Sequence, residues 1–303
     1  VKLNHIYQGD ALEILKTFPD DAVDMVITSP PYWALRNYGV DGQLGLEPTF
    51  QEYINKLCDI FDEVKRVLKK EGTCWVNMGD TFSGSNCGSN DYREKDGLGL
   101  KPQERYNNQR AGKTNLPDKC LLQIPSRFAI EMCNRGWILR NEIIWHKPNC
   151  MPSSVKDRFT VDFEKIFFFT KSKKYYFETQ YEPMISESER GGGKKIASMG
   201  NEWGGQGLVD WKKPDNGLRT KRTVWKIATK PFKEAHFATY PEKLIETPIK
   251  AGCPEGGVVL DIFMGAGTTA KVANKLGRNY LGIELNPEYI KIAEKRLRQE
   301  VLF

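Results

Sequence analysis

The chain has 303 residues, 40% hydrophobic and 28% charged, enough to bury a sizeable α/β core without staples. No apolar run approaches the ~18 residues of a membrane span, and the start Val1-Lys2-Leu3-Asn4 has no signal pattern, so a cytoplasmic protein away from membranes is expected. The seven cysteines never fall at a Cys-x-x-Cys spacing and the histidines are only three, His5, His146 and His236, so no metal is predicted. Residues 151–240 hold 17 Lys and Arg against 11 Asp and Glu, which accounts for the whole net charge of +6. A basic block of this kind suits a segment facing phosphates, or equally a solvated surface.

In chain order, Val23–Thr28 reads as a buried strand that Pro30 and Pro31 must end. Apolar positions at the helical period predict a helix over 50–70, stopped by Gly72 and followed by a strand over 73–78. Residues 83–118 are rich in Gly, Asn and charge without a period, which predicts a mobile loop. A helix over 124–135 leads through Gly136 into a strand over 137–145, and 165–170 is another strand. The glycine-rich, basic stretch 186–222, with Trp203 and Trp211 interleaved, resembles a long surface segment that orders on a partner. The tryptophans suit packing better than a wedge into DNA. The α/β rhythm then returns, with a strand over 258–263, a helix over 268–276, a strand over 280–284 and a helix from Pro287.

Two stretches carry chemistry. In Asp261-Ile262-Phe263-Met264-Gly265-Ala266-Gly267-Thr268 a strand runs into glycines that open a helix, the place where a parallel sheet binds ligands. Glu284 ends the next strand, where a carboxylate can take both hydroxyls of a ribose. The third glycine of a dinucleotide fingerprint is missing and Asp261 would repel a pyrophosphate, so a cationic ligand fits better than a nicotinamide cofactor. In Thr28-Ser29-Pro30-Pro31-Tyr32 the prolines remove two backbone donors, so the Ser29 and Pro30 carbonyls and the Ser29 hydroxyl remain as acceptors beside the flat face of Tyr32. A planar base bearing an NH2 group suits that set; a proline-stiffened strand exit is the plainer reading.

Together the two motifs resemble the amino-methyltransferase family of DNA modification enzymes, whose motifs are D/N/S-P-P-Y/F and F-x-G-x-G. With the catalytic motif first and the cofactor motif last, the order is that of the family's β group. Gly9-Asp10, the run Asn141-Glu142-Ile143-Ile144-Trp145-His146-Lys147-Pro148 and the run His236-Phe237-Ala238-Thr239-Tyr240-Pro241 are similar as well. The resemblance implies a Rossmann-like methyltransferase fold: a mostly parallel twisted sheet with helices on both faces, and an inserted target-recognition region. The expected layout is a catalytic half over 1–149, target recognition over 150–224 and a cofactor half over 225–303.

The cofactor implied is S-adenosyl-L-methionine. Its expected contacts are Asp10, Thr28, His236, Thr239, Asp261, Phe263, Gly265, Gly267, Thr268, Glu284 and Asn286. Ser29, Pro30, Pro31 and Tyr32 are the expected catalytic residues, acting on a flipped-out base in double-stranded DNA. Serine at the first motif position is associated with cytosine N4 and aspartate with adenine N6. Arg36, Lys147 and Arg158 are candidate DNA contacts. A homodimer and a cognate restriction endonuclease are the further partners this family admits, in the nucleoid of a prokaryotic or phage-infected cell. A binding-only DNA protein and an RNA substrate stay open as alternatives.

Overall fold

The computed structural model describes residues 1–35, 40–84, 114–184, 217–230 and 240–300. Arg36, Trp203, Trp211, His236 and Thr239, together with most of 83–118 and of 186–222, lie outside the described residues.

β1 (His5–Gln8) runs through Gly9 to Asp10, whose carboxylate accepts the Glu13 N–H at 3.1 Å and so caps α1 (Ala11–Lys16). β2 (Val23–Thr28) is buried at all positions but Asp24, as a strand covered on both faces must be. α2 (Phe50–Val67) starts at Thr49, which accepts the Glu52 N–H at 3.1 Å. It ends earlier than its helical period suggests, because Leu68 turns extended (φ −75°, ψ 132°) and opens β3 (Leu68–Met78) opposite Val23. Leu68 keeps the apolar period going while already a strand residue, buried in the same core as Val64 and Val67. Gly72 is therefore no helix stop: it sits inside β3, where a Cβ would meet the Leu68 side chain at 2.6 Å and the Asp24 carbonyl oxygen at 2.9 Å.

α3 (Ile124–Asn134), β4 (Ile138–His146) and β5 (Phe163–Thr170) follow. After them come β6 (Tyr181–Pro183), β7 (Leu218–Thr220) and β8 (Val224–Lys226), then α4 (Glu242–Gly252), β9 (Val258–Asp261), α5 (Thr268–Lys275), β10 (Asn279–Glu284) and α6 (Pro287–Glu300). α4 has no counterpart in the sequence reading, since Pro248 lies within it. The contacts divide the chain into residues 1–178 with 223–303, and a small unit, Thr179–Arg222, in which β6 and β7 pair antiparallel.

The large unit carries an eight-stranded sheet in the order β1-β10-β9-β2-β3-β5-β4-β8. β1, β10, β9, β2 and β3 are parallel, and β5 is antiparallel to both its neighbours. Alternate residues feed two cores. Val26, Cys74, Val76 and Phe167 pack with α1, α2 and α3, whereas Met25, Ile27, Trp75 and Phe168 pack with α4 and α5. From β2 the chain winds through α2 to β3 in one direction, and from β9 through α5 to β10 in the other. The carboxyl ends of β2 and β9 therefore flank a switch point, where an open α/β sheet leaves a crevice.

Candidate active site

At that crevice lies a cavity of about 820 Å³, in the range of small-molecule sites. Its lining includes Asp10, Ser29, Pro30, Pro31, Tyr32, Phe263, Gly265, Thr268, Glu284 and Asn286. The two motifs, far apart in the chain, thus meet on one surface.

Glu284, at the end of β10, is preorganised by the backbone: the Gly265 N–H donates to its Oε2 and the Asn286 N–H to its Oε1, each at 2.8 Å. Each carboxylate oxygen keeps a lone pair for a ligand hydroxyl. Burial raises this carboxyl above the ordinary range, aided by the Asp261 charge and opposed by backbone N–H groups of Asn286, Gly265 and Leu285. Gly265 (φ +52°) faces open space, so its backbone can be approached closely. Gly267 serves packing instead, since a Cβ there would lie 2.7 Å from the Ala293 Cβ on α6. Asn286 turns its side-chain oxygen to the Glu288 N–H at 2.9 Å and so stabilises the start of α6.

Among the described residues, three of the expected cofactor contacts, Thr28, Asp261 and Gly267, are absent from the cavity lining. Asp261, 1% exposed, has its Oδ1 taken by the Thr28 hydroxyl at 2.6 Å and the Phe263 N–H at 3.1 Å. Its Oδ2 accepts from Tyr240 at 2.9 Å and from Thr269 at 2.5 Å. With both oxygens engaged by the protein and the Tyr240 and Thr269 hydroxyls also bonded to each other, Asp261 ties the ends of β2 and β9 together rather than offering a charge to a ligand. Burial raises its carboxyl, opposed by these bonds.

On the β2 side, Tyr32 presents a partly exposed ring to the cavity. Gly79 makes room for it, as a Cβ there would sit 2.6 Å from Tyr32 Cε2. The Tyr32 hydroxyl donates to Glu164 Oε2 at 2.8 Å. Burial, followed by the Glu164 charge, holds this phenol proton well above the ordinary range. Lys147 departs from its expected role as a DNA contact: its side chain is 18% exposed, its ammonium is paired with Glu164, and it lies 4.4 Å from the Trp145 ring centroid. Arg158 is exposed, with its guanidinium 3.4 Å from the Phe82 ring centroid.

Glu164 and Tyr240 both line the cavity and were not among the expected site residues. Tyr240 lies in the 236–241 run that the family resemblance marks, a usable signal. Glu164 has none, being one acidic residue at the start of an aromatic strand.

A doubly wound sheet with a cavity at its switch point, lined on one side by a proline-stiffened row of acceptors, has the Rossmann-like architecture of a ligand-binding α/β enzyme. The N6/N4 DNA methylase family matches residues 23–295, and the chain belongs to it. It is 42% identical over 301 residues to the type II methyltransferase M.Cfr9I of Citrobacter freundii, covering 97% of this chain and 88% of that one. To M.SmaI of Serratia marcescens it is 39% identical over 292 residues, covering 96% and 90%. Among solved structures, the cytosine-N4-specific PvuII DNA methyltransferase superposes with a TM-score of 0.64 at 21% identity, over 96% of this chain and 85% of that one. The M1.HpyAVI–SAM complex superposes at 0.55 with 20% identity, over 97% and 98%. Both share the fold.

Proposed function

We propose that this protein transfers a methyl group from S-adenosyl-L-methionine to the exocyclic N4 of cytosine in double-stranded DNA. The observation that carries the reading is the convergence of Ser29-Pro30-Pro31-Tyr32 and Phe263-Gly265-Glu284 on one cavity.

The residues fit the cofactor. Glu284, fixed by two N–H donors with lone pairs to spare, would accept the ribose hydroxyls, with Phe263 and Gly265 against the nucleoside and Asp10, Thr268 and Asn286 around it. His236 and Thr239 are proposed for the methionine end. Bound there, the cofactor supplies an electrophilic sulfonium methyl.

Tyr32 offers the face on which a flipped base stacks, a contact worth about 1–3 kcal/mol. The exocyclic amino nitrogen is a poor nucleophile because its lone pair is delocalised into the ring. Ser29 and the Pro30 carbonyl accept its hydrogens, hold it in line and favour the pyramidal geometry in which the lone pair is free. Direct transfer needs no enzyme nucleophile, and Cys253 is buried with its thiol pushed up to about 12 by that burial.

Cytosine N4 is preferred to adenine N6 because the first motif residue is Ser29, the residue the family associates with N4. Target recognition is assigned to 150–224, which holds 14 Lys and Arg against 10 Asp and Glu and lends its stretch Phe163–Thr170 to the central sheet as β5, and Arg36 and Arg158 are proposed to meet phosphates. Incubation with tritiated S-adenosylmethionine and mixed-sequence duplex DNA, followed by nucleoside mass spectrometry, tests the reading. N4-methylcytosine supports it, N6-methyladenine overturns the choice of base, and unlabelled DNA overturns the function.

A further inference from the structure

Tyr32 stands between groups of fixed hydrogen-bonding sense. Glu164 Oε2 lies 2.8 Å from its hydroxyl, and Lys147 holds the other oxygen of the same carboxylate. An ionised carboxylate can only accept, so Tyr32 must donate to it. Asn77 adds to this: its Nδ2 donates to the Lys165 carbonyl at 3.2 Å, which turns its Oδ1 toward Tyr32 at 3.4 Å. With the phenol proton committed, the remaining role of the Tyr32 oxygen is to accept, and the Ser29 hydroxyl lies 3.4 Å away as the donor. The Ser29 proton is thereby drawn inward along Ser29, Tyr32 and Glu164, and the Ser29 lone pairs are left for the cavity.

We propose that Glu164, held by Lys147, is a specificity-determining positioning residue: it sets the direction of this chain so that Ser29 meets the target base as an acceptor, admitting a base with an exocyclic amino group and rejecting one with a carbonyl there. The inference rests on the DNA amino-methyltransferase reading above. In chemical terms the discrimination is between cytosine, whose N4 donates, and uracil, whose O4 accepts. A carbonyl oxygen placed against the Ser29 lone pairs and the Pro30 carbonyl would be desolvated without a donor, the costly half of hydrogen-bond bookkeeping.

The test starts from the position that the wild-type enzyme methylates, mapped on plasmid DNA. Duplexes around it carry cytosine or uracil at the target, opposite guanine, and dissociation constants are measured with wild-type protein and E164Q. The glutamine amide keeps the shape but can donate to Tyr32, which frees the chain to reverse. Because the mismatch makes uracil easier to extrude for any enzyme, the quantity read is the change in the uracil-to-cytosine ratio between proteins. E164Q is expected to shift that ratio toward uracil by roughly 10- to 100-fold, with cofactor affinity unchanged. Y32F, which keeps the ring and removes the relay, is expected to shift it in the same direction. A wild-type ratio in E164Q overturns the inference, as does a shift in Y32F alone, which would place the control at Asn77. Wild-type protein that methylates no DNA instead overturns the function on which the inference rests.

Discussion

The hydroxyl of Thr28, the last residue of β2, donates to the buried carboxylate of Asp261, the last residue of β9, across 2.6 Å. The residue that precedes the acceptor strap is thereby latched to the residue that precedes the glycine turn. Under the proposed function, this tie between the ends of β2 and β9 keeps a base at Ser29 in register with a nucleoside at Glu284.

Thr28→Val removes this donor at nearly constant shape and leaves a buried carboxylate oxygen short of a partner. It is expected to destabilise the fold by about 1–3 kcal/mol, read from the urea midpoint, and to lower the methylation rate. A Thr28→Val protein with wild-type stability would show that the latch does not bear load.

Glu284→Ala is expected to weaken S-adenosylmethionine binding by about 1.5–3 kcal/mol through lost charge-assisted hydrogen bonds. Calorimetry on the purified protein measures it, and unchanged affinity refutes the ribose assignment.

Burial raises the Glu284 carboxyl above its ordinary 4.5. Between that value and the raised one, the folded protein holds a proton that the unfolded chain has released. Stability from this group is therefore full below about pH 4.5 and declines as pH rises through the folded value. Glu284→Gln, uncharged throughout, removes that dependence. The wild-type protein is expected to lose stability relative to Glu284→Gln as pH is raised from 4.5, in denaturation curves taken without cofactor. A constant difference across that range contradicts the burial effect.

Tyr32→Ala is expected to weaken placement of the target base by about 1–3 kcal/mol, the worth of one base-stacking contact, while sparing cofactor affinity. Fluorescence of 2-aminopurine at the mapped target reports extrusion, and single-turnover methylation reports placement. Unchanged turnover removes the stacking role.

The two turn glycines are expected to separate by phenotype. At Gly267 a Cβ would lie 2.7 Å from that of Ala293 in a left-handed conformation (φ +78°), so Gly267→Ala combines overpacking with backbone strain. A loss of about 2–4 kcal/mol in stability follows. At Gly265 (φ +52°) the space is open, so Gly265→Ala is expected to cost only about 1–2 kcal/mol of strain and to show mainly as weakened cofactor binding. Equal losses of stability in the two variants would contradict this division.

Much of the fold was legible because its signals are local. The apolar period marks α2, the buried runs mark β2 and β9, the prolines end β2 and the glycines open α5. The two motifs and Glu284 could be placed at strand ends for the same reason, since strand, turn and helix adjoin in sequence. α4 was hidden by Pro248, and the end of α2 by Leu68, whose burial serves both a helix and a strand.

What the sequence determined by itself is the kind of chemistry: which residues end strands, which turns lack donors, and in what order the two motifs come. Only the tertiary structure decided which side chains face the ligand and which hold those that do. Asp261 read as a ligand contact until the fold surrounded it with donors from Thr28, Tyr240, Thr269 and the Phe263 backbone. Lys147 read as a free cation until β5 brought Glu164 beside it. Nothing in the local pattern distinguishes a paired charge from a solvated one, because the partner's identity depends on which strands the sheet places side by side.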